Sequence, residues 1–224
     1  MSEELPVVTI LNVSDISQPT TLYRGGGYLP YDIEYLVVDG VKISAASSYQ
    51  FRTTGLHEVG YKAKYTGGLN QPGGFPFART FGSTTSPIKE IRVSDSIIKI
   101  EGYSFMSMMP SVSDGWTIIL PDSIQEIGDL AFRYCSTLHL NELPASLTRI
   151  GDAAFGACFF DYLHIKAPTP PTIGIEQFSG SYKLYVGDGL SAESDDAVLD
   201  LYLAAPGWSP YSSRLDTWHN YINR

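Results

Sequence analysis

Four segments of the chain share one arrangement of apolar and polar positions. They are SIIKIEGYSF ending at Phe105, SIQEIGDLAF ending at Phe132, SLTRIGDAAF ending at Phe155 and TPPTIGIEQF ending at Phe178. Counted back from each Phe, position −5 is Ile100, Ile127, Ile150 and Ile173, and position −9 is Ser96, Ser123, Ser146 and Thr169. Position −4 is Glu101, Gly128, Gly151 and Gly174. The Phe-to-Phe spacings are 27, 23 and 23 residues. The longer first interval fits a loop insertion around Met109–Gly115, and Phe81 marks a degenerate earlier copy. One such unit cannot bury its own Ile and Phe. Stacked on its neighbour, it places Ile over Ile and Phe over Phe and closes a continuous core.

A short β-like stretch precedes each unit: KEIRV, WTIIL, NELP and YLHI. Pro121 and Pro144, both at position −11, end two of these stretches, because proline cannot donate to a strand ladder. Each coil therefore reads as strand, turn and irregular bend. Neighbouring strands are expected to add to one parallel sheet, with coils about 4.8 Å apart.

The pattern I-x-x-I-G-x-x-A-F-x-x-C resembles the BspA-like leucine-rich repeats of bacterial surface proteins. The matching residues are Ile124, Ile127, Gly128, Ala131, Phe132 and Cys135 in one copy. In the next they are Leu147, Ile150, Gly151, Ala154, Phe155 and Cys158. The segments KAPTPPTIG, KLYV (Lys183–Val186) and YLAAPGW (Tyr202–Trp208) resemble that family's closing segment, so the likeness covers roughly residues 77–213. The first full copy departs from it with Glu101 for Gly and Met108 for Cys. The resemblance implies a cell-surface or secreted protein with an adhesion-type role.

Residues 1–68 carry no repeat. YDIEYLVV and VKIS flank Asp39-Gly40, the strongest short hairpin signal. SSYQFRTTGLHEVGYKAKY offers two further strands, with Tyr49 and Phe51, then Val59, Tyr61 and Ala63, on alternating positions. The expectation is a small immunoglobulin-like β domain over 1–76, with the Gly/Pro loop GGLNQPGGFP at 67–76 as junction. A mainly β leucine-rich-repeat solenoid of about four coils follows over 77–224. Ser191 or Ser194 is expected to cap a helix running through Ala205, with Asp195 and Asp196 in its first turn. Val198, Leu201, Tyr202 and Ala205 share one face of that helix, which is expected to cover the last coil.

Composition narrows the function classes. The net charge is −9, with seven acids and six bases up to residue 85 and seventeen acids and nine bases beyond it. That balance repels phosphate backbones and anionic lipid, so neither nucleic acid nor a membrane surface is expected as partner. No stretch reaches the roughly 20 apolar residues that span a bilayer. The start MSEELPVVTIL lacks the basic n-region and long apolar run of a secretory leader. Absence of that export route and removal of a leader both remain open.

Candidate chemistry is sparse. Cys135 and Cys158 occupy one repeat slot, Phe +3, shared with Met108 and Ser181, and are expected to be free and buried. His57, His139, His164 and His219 have no zinc-ligand spacing. The glycine runs RGGGY (24–28) and GGLNQPGG lack the Lys and Ser/Thr of a phosphate loop. Asp129 and Asp152 recur at Phe −3, as a cation ladder or a solvent-facing pair. Trp116, Tyr134, Tyr162 and Tyr182 are candidates for exposure and contact. No catalytic residue, cofactor site or metal site is expected. The expected function is binding of a protein or glycan by the solenoid face, for which Arg92, Thr117 and Glu142 are the outward positions. The alternatives are a structural component of a virion or fibre, and an accessory carbohydrate-binding part of an enzyme. A pocket at the junction near Phe75–Phe81 is the expected small-molecule site.

Overall fold

The computed structural model describes residues 5, 7–22, 33–46, 48–63, 67–68, 71–72, 88–108 and 115–224. The RGGGY loop, Phe81, the 76/77 boundary, the pocket near Phe75–Phe81 and most of the 109–115 insertion lie outside the described residues. In the N-terminal part, Ile33–Val38 and Val41–Ser44 form the hairpin around Asp39-Gly40. Both turn residues have positive φ, 49° and 80°, the pair of left-handed conformations that a two-residue turn needs to match strand twist. Gly55–Ala63 pairs antiparallel with both Ile33–Val38 and Val7–Val13. Val7–Val13 pairs in turn with Ile88–Val93, the first solenoid strand. One seven-stranded sheet therefore runs from Val41–Ser44 to Leu138–His139, joining the N-terminal strands to the solenoid through backbone hydrogen bonds. Its inner face buries Val7, Leu11, Leu36, Val59 and Tyr61.

The repeat folds as stacked coils with three inter-coil ladders. On one side the two-residue strands Lys99–Ile100, Glu126–Ile127, Arg149–Ile150 and Thr172–Ile173 pair in parallel, placing the four Ile in register. Ile100, Ile127 and Ile150 are fully buried, and Ile173 is partly buried at the end of the column. On a second side Phe105, Phe132, Phe155 and Phe178 form a column of parallel rings with centroids 5.1, 5.4 and 5.9 Å apart. The residue at −2 from each Phe takes positive φ (Tyr103, Leu130, Ala153 and Glu176), as does the residue at +2 from the first three (Ser107, Tyr134 and Ala157). This alternation turns N–H groups toward the next coil. Tyr103, Phe105 and Ser107 donate to the carbonyls of Asp129, Ala131 and Arg133 at 2.7–3.0 Å, and Leu130, Phe132 and Tyr134 donate to the coil after that at 2.8 Å. The hydrogen bonds repay backbone conformations that non-glycine residues adopt only under constraint.

The third side, formed by the upstream strands, departs from a single parallel sheet. Trp116–Ile119 pairs with Ile88–Val93 and with Leu138–His139. The ladder then hands over within the same extended segment, and Glu142–Leu143 begins a second sheet with Tyr162–Ile165, Lys183–Val186 and Leu215–Thr217. At the handover Leu140 and Leu143 are both buried and Asn141 and Glu142 are both exposed, so the inward–outward alternation slips by one residue.

The far end is closed much as expected. Ser191 caps Ala192–Ala204, its hydroxyl accepting from the Ser194 N–H. Tyr202 is fully buried and donates to the Ala167 carbonyl, and buried Trp208 donates its indole N–H to Pro171. Trp208 and Tyr211 lie against Phe178 and extend the aromatic column beyond the last coil. Leu201 does not join the covering face; it is 52% exposed, and Leu199 packs on the core instead. Asp195 is fully buried, accepting the backbone N–H groups of Asp188, Gly189 and His219. It ties the helix to a closing strand, Leu215–Thr217, and a short helix, Trp218–Ile222, that the sequence pattern did not reveal.

Candidate binding face

The outer face of the third side is where the molecule presents chemistry. A groove of about 350 Å³ opens beside the handover between the two sheets. Ile119, Leu120 and Pro144 supply apolar wall, Tyr162 an aromatic side, and His139, Asn141, Glu142 and Lys166 polar groups. Lys166 is held between Asp122 at 3.1 Å and Glu142 at 3.7 Å. A hydrogen bond from that ammonium keeps the Asp122 carboxyl below its ordinary value. A glycosidase-type acid needs the opposite shift.

Next to the groove lies an aromatic cluster. The short C-terminal helix lays Trp218 flat on His164, with ring centroids 4.0 Å apart and planes 7° apart. Tyr221 packs at 4.8 Å against both Tyr162 and Tyr185. Tyr162, Trp218 and Tyr221 are half-buried, and Tyr162 is the member of the cluster that lines the groove. Burial, with a hydrogen bond that the phenol donates to Tyr221, pushes the Tyr162 pKa up. Of the other aromatic candidates, Tyr134 is exposed, with Arg133 over its ring, whereas Trp116 and Tyr182 are buried. Trp116 shares the inward face of its strand with Ile118, and Tyr182 leads an inward row with Leu184 and Val186. Of the expected outward positions, Arg92 and Glu142 are exposed and Thr117 half-buried, but Thr117 lies opposite Glu90 and Glu142 opposite His164, so they do not form one row.

His164 is the buried titratable group under this face. Its Nε2 meets the Gly187 carbonyl at 2.8 Å and must donate there. Nδ1 is then a bare acceptor, buried with no partner among the described residues. Burial is the main cause that lowers the His164 pKa from its ordinary 6.5. A histidine with a lowered folded pKa imposes no cost above the unfolded value and a growing cost as pH falls below it. The melting temperature is therefore expected to fall from pH 7 to pH 5 by more in the native chain than in His164→Phe. Equal pH slopes in the two proteins would count against this account.

The other sequence candidates have structural placements. Asp129 Oδ1 accepts from the Asp152 N–H at 2.9 Å and from Arg149 at 3.1 Å, and Asp152 Oδ1 accepts from the Ile175 N–H at 3.0 Å. The Asp pair thus clips each coil to the next, and among the described residues no cluster of three or more His, Cys, Asp or Glu could hold a metal ion. His57 is buried between Asp39, 2.7 Å from Nδ1, and the Thr53 carbonyl, 2.9 Å from Nε2. Cys135 and Cys158 are free and fully buried, their thiols donating to the carbonyls of Phe105 and Phe132 at 2.9 and 3.0 Å. Met108 is buried in the same slot, but Ser181 is exposed where the chain leaves the repeat. Burial pushes the Cys158 thiol up to about 12 and Cys135 well above its ordinary value. A thiol reagent at pH 8 is expected to label neither cysteine in the native protein and both in denaturant. Labelling of the folded chain would contradict the packing described.

Among curated proteins no match was found. Among solved structures, the chain is similar to a leucine-rich repeat protein from Bacteroides ovatus ATCC 8483, with 24% identity and a TM-score of 0.39. That likeness covers 55% of this chain and 33% of the Bacteroides protein. A family model for the BspA type leucine rich repeat region matches residues 78–185 with six copies, a span that contains the four units of the Phe register. Residues 78–185 are therefore a BspA-type leucine-rich-repeat region.

Proposed function

We propose that the chain is a non-catalytic interaction module, surface-exposed or secreted, that binds a protein or glycan through the outer strand face of its solenoid. The observation that carries this reading is the groove at the sheet handover with the half-exposed Tyr162, Trp218 and Tyr221 beside it. Rigid amphipathic rings give contact area at low entropic cost and are enriched where proteins meet partners. The BspA-type family and its link to bacterial surface proteins support the placement. Among the described residues, no helix is long and apolar enough to cross a membrane.

The test is an array of proteins and glycans probed with the native chain, with Thr117→Arg/Ile119→Arg on the strand face and with Ile175→Arg elsewhere. Ile119 and Ile175 are 51% and 71% exposed, so both changes should leave the fold intact. Binding is expected to be lost only in the strand-face variant. Binding lost only in Ile175→Arg, or turnover of a bound glycan or peptide, would overturn the reading.

A further inference from the structure

We infer that the groove at the sheet handover is a subsite for an uncharged glycan, with Asn141 and Glu142 as its hydroxyl-binding pair and Tyr162 as its stacking wall. The inference rests on the strand-face reading above and names the partner's chemistry. Its basis is the slip in strand alternation. Because Leu140 and Leu143 both turn inward, two consecutive polar side chains turn outward side by side. Neither the Asn141 amide nor the Glu142 carboxylate has a hydrogen-bond partner among the described residues; the 3.7 Å approach of Lys166 to Glu142 is an ion pair without a hydrogen bond. An amide and a carboxylate next to each other offer donor and acceptors to neighbouring hydroxyls of one sugar ring. Tyr162 flanks them with an apolar ring held by Tyr221 and Tyr185, able to meet the C–H face of a sugar without reorganising.

The alternatives fit less well. Of the strands under the groove, Tyr162–Ile165 is paired on both sides, and Glu142–Leu143 is a two-residue edge, too short to ladder an extended peptide. A volume of about 350 Å³ lies at the lower end of small-ligand sites and holds roughly one or two sugar rings. Among the described lining residues an anionic sugar meets no free Lys or Arg, since Lys166 is already claimed by Asp122 and Glu142.

The test is a glycan array carrying neutral, sialylated and uronic-acid-bearing oligosaccharides, followed by titration of the neutral hit. The variants are Asn141→Ala, Glu142→Gln and Tyr162→Ala, each checked for its melting temperature. The first two positions are exposed and keep the fold even if Tyr162→Ala loosens the aromatic cluster. The expected result is binding of a neutral glycan, weakened about tenfold by Asn141→Ala or Glu142→Gln and changed little between low and high salt. A silent array, a preference for the acidic glycans, or neutral binding that both substitutions leave unchanged would overturn the inference. Protein binding that is lost in Thr117→Arg/Ile119→Arg while the glycan array stays silent would remove the glycan and leave the strand-face reading standing.

Discussion

Replacing Phe132 with alanine is expected to lower the unfolding free energy by about 3–5 kcal/mol, the usual cost of emptying a buried Phe site. The ring is fully buried and stacks on Phe105 at 5.1 Å and Phe155 at 5.4 Å, so truncation removes two faces of contact at once. The neighbouring coils cannot collapse into the gap. Their spacing is fixed by the hydrogen bonds from Phe132 N–H to Ala154 and from Phe105 N–H to Ala131. Phe178→Ala is expected to cost less, because only one face of Phe178 meets another Phe of the column and half-buried Tyr211 beside it has room to shift. Denaturant titration of the two variants checks both the size and the order.

The second large effect is expected at Gly151. A Cβ built there would lie 2.2 Å from Asp129 Oδ1, 2.5 Å from Asp129 N and 2.7 Å from the Gly128 carbonyl carbon. Two of the three atoms are backbone of the preceding coil, so the coils themselves would have to part. Gly151→Ala is expected to cost about 2–3 kcal/mol, in the range of forced overpacking. Adding Asp129→Ala should not restore stability, because the backbone nitrogen still blocks the site and the clip to Asp152 N–H is lost as well. Recovery in the double variant would show that the side chain alone sets the limit.

The two columns were legible because a repeat writes each buried position several times. Ile and Phe at constant spacing need no knowledge of the turn between them. The glycine at −4 was equally visible as a letter, but its cause was not, since Asp129 and Gly151 meet only across coils. The Asp pair was read as a ligand ladder or solvent-facing pair for the same reason. The inward placement of Trp116 and Tyr182 is legible in period-two alternation with Ile118 and with Leu184 and Val186. Tyr185 shows the converse. It alternates outward yet is almost fully buried, because Trp218 and Tyr221 return to cover it. No local pattern in the last few residues announces that return. The polar pair Asn141-Glu142 between Leu140 and Leu143 was the one sequence trace of the groove, a break in alternation where the neighbouring strands keep theirs.

Native-state hydrogen exchange of the intact chain tests the stacked-coil account most directly. Leu130, Tyr134 and Ala153 sit in turns, at positive φ, where an unstacked chain would leave their amides open to water. Stacking instead commits each to a carbonyl of the next coil at 2.8 Å. Their amides, with those of Phe105 and Phe132, are expected to exchange slowly and to share one opening free energy with the Ile127 and Ile150 strands. Exchange of these turn amides at the rate of unstructured peptide, while the strand amides stay protected, would contradict it.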